Sequence, residues 1–196
     1  MSAIRISEVM DLVEYEKARD TVRSRVIELK KRRRLALGDN LTLLFENRET
    51  VLFQIQEMVR TERLVEPTRV QEEIDAYAAL LPGGGELSAT LFIEIPELAR
   101  MGQEEVRRTV NRFRGLEHGA VALELGPQVV PARFESGQTS EEKMAAVHYV
   151  RFAVPPEGRS ALSDPGQPAR ARVEHPAARA VAELPGTLRA ELLADL

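Results

Sequence analysis

The sharpest pattern in the chain runs over Leu41–Arg60, LTLLFENRETVLFQIQEMVR, which holds neither glycine nor proline. Leu41, Leu43 and Phe45 alternate with Thr42, Leu44 and Glu46, the period-two signature of a buried strand. Asn47 then stands as the N-cap of a helix over about 48–63, whose inner stripe is Val51, Leu52, Ile55, Met58 and Val59. Upstream, Tyr15, Ala18, Val22, Val26 and Leu29 recur at spacings of three and four and predict a long helix from about Asp11 to Arg34. Leu35-Ala36-Leu37 and Leu41–Glu46 flank Gly38-Asp39-Asn40, a hairpin signal.

Downstream, Pro67 opens a helix to about Leu81, ended by Pro82-Gly83-Gly84-Gly85. Leu87–Ile95 reads as a strand, and Pro96 starts a helix to about Arg114. Ala120–Leu125 and Val129–Phe134 read as a second hairpin, Ser140–Met144 as a short helical turn, and Val147–Val154 as a strand. The stretch 155–168, PPEGRSALSDPGQP, reads as a linker or exposed loop because of its prolines and glycines. Two weak strands around His175-Pro176 and a closing helix follow.

Strands mostly follow strands through tight turns. The chain is therefore expected to be α+β, with a largely antiparallel sheet of about five to seven strands packed with several helices, including the long N-terminal one. Residues 1–154 form the expected main domain, and 169–196 a small C-terminal extension ending in a helix. Such a helix on a tether is a candidate means of forming a homodimer.

Composition narrows the chemistry. The 196 residues suit one domain with an appendage. There is no cysteine, which excludes disulfides, a thiol nucleophile, thiolate-held zinc and a conventional iron–sulfur cluster within the chain. Ile4–Val9 is broken by Arg5 and Glu8, so neither a signal peptide nor a membrane span is expected, and the protein is read as cytoplasmic. The net charge is −4; residues 1–60 hold 12 basic and 10 acidic groups, residues 61–196 hold 15 and 21. That balance argues against a dedicated nucleic-acid binder.

No phosphate-cradling glycine loop after a strand, no nucleophile elbow and no HExxH or ExxH occurs. No cofactor is implied. His148, on a strand, is a weak metal candidate that needs Glu94, Glu124 or Glu135 beside it; otherwise it is a partly buried strand histidine. The basic run Lys30, Lys31, Arg32, Arg33 and Arg34 is either a patch for an acidic or nucleic-acid partner or a solvated helix end that suits the helix dipole. Glu46, Glu57 and Arg60 form the candidate polar site: two carboxylates for acid–base work or a hard metal, or else a capped corner and a Glu57–Arg60 surface pair.

The segments ELKKRRRLALGDNLTLLFENRETVLFQIQEMVR, ELSATLFIEIP and VHYVRF, with EHPAARA and LRAELLADL in the tail, resemble an uncharacterised bacterial family, a domain of unknown function of about this length. The tail departs from that pattern in having Ala177-Ala178 where an aromatic is expected after His-Pro. The resemblance implies no catalytic residues. It implies a genomic neighbourhood of rubrerythrin-like proteins and iron–sulfur oxidoreductases of the heterodisulfide-reductase type, and hence an accessory role in peroxide or redox metabolism. Three readings stand: an adaptor that binds such a redox partner, an enzyme or metal-binding protein with a carboxylate-lined site, and a nucleic-acid binder using the basic run.

Overall fold

A computed structural model describes residues 3–95, 100–135 and 145–196. After a 3-10 turn at Ile6–Glu8, α1 spans Leu12–Arg32, capped by Asp11, whose side chain accepts the Glu14 N–H. The hairpin β1 (Arg34–Leu37) and β2 (Leu41–Glu46) follows, then α2 (Arg48–Thr61) and α3 (Pro67–Ala78). At the start of α2 the Asn47 side chain accepts the Thr50 N–H and the Thr50 hydroxyl accepts the Asn47 N–H, a reciprocal cap that fixes the strand-to-helix corner.

The strand β3 (Glu86–Ile93) leads to α4 (Gln103–Asn111), shorter than the helix expected from Pro96 to Arg114 because Gly102 is its N-cap and turns begin after Asn111. Then come β4 (Val121–Leu125), β5 (Gln128–Pro131), β6 (Arg133–Phe134) and β7 (Val147–Ala153), followed by α5 (Pro156–Ser163), β8 (Ala169–His175), β9 (Ala178–Glu183) and α6 (Gly186–Asp195). The turn expected at Ser140–Met144 lies outside the described residues.

The protein is α+β, and every strand pairing is antiparallel. The strands form two sheets rather than one: β1-β2-β3-β7-β6 and β5-β4-β8-β9. The chain changes sheets just after Pro131: the Ala132 N–H still donates to the Val121 carbonyl of β4 at 2.9 Å, and the next two residues, Arg133 and Phe134, pair with β7. At the other side β9 lies against the β1 hairpin, where a Cβ added to Gly38, which has φ +74°, would stand 3.1 Å from that of Ala180. The two sheets share one apolar core.

The tail is not peripheral. The expected linker 155–168 contains α5, because Pro155 and Pro156 stand where helices tolerate proline, at the N-cap and first turn. Gly158, Ala161 and Leu162 of α5 are buried. β8 pairs with β4 over its length, and Ala169, Ala171, Val173, Leu188 and Leu192 enter the same inter-sheet core as Leu43, Phe45, Leu91 and Phe152. Complete burial of a leucine such as Leu43 stabilises by about 1.5–3 kcal/mol. A second, smaller core of Ile4, Val51, Ile55, Val59, Leu64, Val70, Ile74 and Leu80 lies within the helical layer, with Tyr149 of β7 packed against it.

Candidate functional site

All six residues of β2 are buried, so both faces of this strand are covered. Leu41, Leu43 and Phe45 look into the inter-sheet core. On the opposite face, Glu46 is 6% exposed and accepts two hydroxyl hydrogen bonds, from Thr50 at 2.5 Å and from Thr90 at 2.7 Å. No cation pairs with its carboxylate among the described residues.

Glu57 belongs to a different network. The hydroxyl of Tyr15, a fully buried residue of α1, donates to Glu57 Oε1 at 2.6 Å. The Arg19 guanidinium donates to both carboxylate oxygens, at 2.8 and 2.9 Å, the bidentate geometry that suits arginine. That guanidinium holds the Glu57 carboxyl below the usual carboxylate range, while burial, helped by the neighbouring carboxylate, pushes the Tyr15 phenol up. Arg60 pairs with Glu16 of α1 at 2.8 Å and acts on Glu57 only through space. The expected Glu57–Arg60 pair is therefore replaced by two pairs to α1, which runs antiparallel alongside α2. Glu46 does not join Glu57 and Arg60; it is held between Thr50 at the start of α2 and Thr90 of β3, and they bond toward α1.

The basic run is also engaged. Arg33 is completely buried. Its Nε donates to the Phe45 carbonyl at 2.8 Å, a second nitrogen reaches the Glu46 carbonyl at 3.3 Å, and the head pairs with Glu191 at 3.2 Å and with Asp195 of α6. Arg32 also reaches Glu191, Arg34 pairs with Glu94, Lys31 with Glu28, and the Lys30 ammonium sits 5.6 Å from the centre of the Phe53 ring. Through Arg32 and Arg33 the run joins the end of α1 to the tail.

His148 is 2% exposed. Its Nε2–H donates to the Ala145 carbonyl at 2.8 Å, its ring meets Phe134 edge-on, and burial lowers its pKa. The three carboxylates proposed as co-ligands lie in ion pairs: Glu94 with Arg34, Glu124 with Arg170 and Arg172, Glu135 with Arg151. Among the described residues no group of three or more histidine, aspartate or glutamate side chains is arranged to hold a metal. His175 is likewise satisfied, donating from Nε2 to Arg114 and accepting the Ala177 N–H at Nδ1.

What the sequence reading missed lies on the helical layer. Ile6, Met10, Val13 and Val65 are large apolar residues between 38% and 74% exposed. They gather around one cleft of about 430 Å³ between the start of α1 and the α2–α3 junction, floored by Val59, Leu64 and Val70 of the smaller core. The available signal was the apolar residues left over from each helix stripe: Val13 falls outside the inner stripe of α1, and Val65 stands in a polar turn.

The sequence matches a family described as a protein of unknown function, DUF3501, over residues 3–196. The chain belongs to the DUF3501 family. Its fold is also that of a crystal structure from Burkholderia pseudomallei K96243, described as a novel protein of unknown function, with 31% identity, a TM-score of 0.88 and complete coverage of both chains. No curated protein matches. The family resemblance read from Leu35–Arg60 and the tail therefore holds over nearly the whole DUF3501 chain, and the match carries no assigned activity. No described helix is long and apolar enough to cross a membrane.

Proposed function

We propose that this DUF3501 protein is a cytoplasmic adaptor that binds a protein partner through the cleft between the start of α1 and the α2–α3 junction. One observation carries the reading: four large apolar side chains converge, exposed, on a single cleft over a small apolar core. Exposed apolar residues are ordinary when scattered; gathered in a cleft they mark surface that another molecule covers. The carboxylates and cations put forward for a catalytic, metal-binding or nucleic-acid role are engaged in bonds within the chain, which favours the adaptor over those readings. The family resemblance supplies the partner class to try first: rubrerythrin-like proteins and iron–sulfur oxidoreductases.

The test is a pull-down of purified candidates of those two kinds by the wild-type protein and by the double variant V13E/V65E. Both positions are more than half exposed, so the variant keeps its fold. Capture by the wild type and loss by the variant supports the reading. Equal capture by both proteins, or capture by neither, overturns it.

A further inference from the structure

The apolar cleft does not end at its apolar wall. It shares Leu12 and Val13 with a second, more open cleft lined by Glu16, Lys17, Arg60 and Arg63. Three cations there face one carboxylate, and Glu16 is already paired with Arg60. Lys17 and Arg63 are exposed and have no ion-pair partner among the described residues. The carboxylate in the apolar cleft itself, Asp11, is engaged in capping α1.

Arg63 adds a second observation. It is the single described non-glycine residue with positive φ, +53°. It occupies the left-handed position that ends α2: the Leu64 N–H bonds to the Val59 carbonyl at 2.9 Å and the Arg63 N–H to that of Arg60 at 3.2 Å. Glycine adopts this conformation without the steric cost a side chain meets there. A cation stands there instead, beside the open cleft.

We infer that the joined clefts receive an amphipathic helix of a partner protein, its apolar stripe in the Ile6–Val13–Val65 groove and its acidic end against Lys17 and Arg63. This rests on the adaptor reading and specifies what the adaptor recognises. An apolar groove accepts side chains at i, i+3, i+4 and i+7 of a helix. The unpaired cations at one end give that helix a direction and a charge preference, because rim charges steer encounter and reject the wrong sign. The cations lie at the surface, so the attraction weakens with salt.

Random linear peptides displayed on phage are panned on the full-length protein, and the enriched sequences are made as labelled peptides for anisotropy titration. The expected result is a family with apolar residues at helical spacing and Asp or Glu at one end. These peptides lose binding to V13E/V65E, weaken about tenfold on K17E/R63E, and weaken as salt is raised. R63G sharpens the test: it is expected to raise the melting temperature while weakening the peptides, a split that a merely structural arginine does not give. Absence of an enriched family overturns the inference, as does a family with basic ends. Apolar peptides that need Val13 and Val65 but ignore K17E/R63E remove this inference and leave the adaptor reading standing. A concentration-dependent dimer in sedimentation, abolished by V13E/V65E, gives the cleft to a second copy of the chain and likewise overturns it.

Discussion

Glu57 shows how far a single side chain can be read from its neighbours in sequence. Its helical position placed Arg60 one turn away, and that arrangement predicts a weak surface pair. The observed partners, Tyr15 and Arg19, are some forty residues upstream and reach Glu57 because α1 packs antiparallel along α2. The consequence is a pH dependence whose sign follows from the lowered pKa. The folded state binds the Glu57 proton more weakly than the unfolded chain, whose carboxyl has the ordinary value of 4.5. The stabilisation is therefore present above that value and lost as pH falls through the lower folded one. Glu57→Gln keeps an acceptor for Tyr15 but removes the charge that Arg19 clasps. In urea titrations the wild type is expected to be the more stable at about pH 7, with the gap narrowing as pH falls below 4.5. A gap that stays constant across that range removes Glu57 as a source of acid sensitivity.

Between elements, the decisive contact is Arg33. The basic run reads locally as a solvated helix end favoured by the dipole, but only Lys30, Lys31 and Arg32 lie in the last turn of α1, and Arg34 already belongs to β1. The local reading misses that Arg33 folds inward, where it satisfies two carbonyls at the end of β2 and pairs with two carboxylates of α6. Arg33→Ala leaves Asp195, 8% exposed, without its cation, and is expected to destabilise by about 3–5 kcal/mol in equilibrium denaturation. Arg32→Ala removes the half-exposed partner of the same Glu191 and is expected to cost less than about 1 kcal/mol. Equal losses in the two variants argue that the clamp is a surface pair. What the sequence shows well is what depends on near neighbours: the period-two pattern of β2, the Asn47 cap, the proline at the start of α3, and the α+β class those elements imply. What it hides depends on which surfaces meet. The burial of Arg33, the division of Glu46 from Glu57, and the gathering of Ile6, Met10, Val13 and Val65 all arise from contacts between segments far apart in the chain.

At the scale of the whole molecule the same limit produced the expected boundary at residue 154. Prolines and glycines in 155–168 look like a tether when read alone. In the fold they cap and pack α5, where a Cβ added to Gly158 would stand 3.2 Å from Val154 and 3.3 Å from Leu125. β8 is an interior strand, bonded to β4 on one side and β9 on the other. Removing 155–196 strips β4 of one neighbour, takes Ala169, Ala171, Val173, Leu188 and Leu192 out of the core, and leaves Arg33 buried without a counter-charge. Apolar surface exposed in this way lowers stability by about 25 cal/mol for each Å², against a total that seldom exceeds about 15 kcal/mol. A chain of residues 1–154 is therefore expected not to fold cooperatively: it should lack a sharp melting transition and should bind a hydrophobic dye. A stable, soluble 1–154 fragment released by limited proteolysis would show instead that the tail is separable and that the smaller core, not the shared inter-sheet one, sets the folding unit.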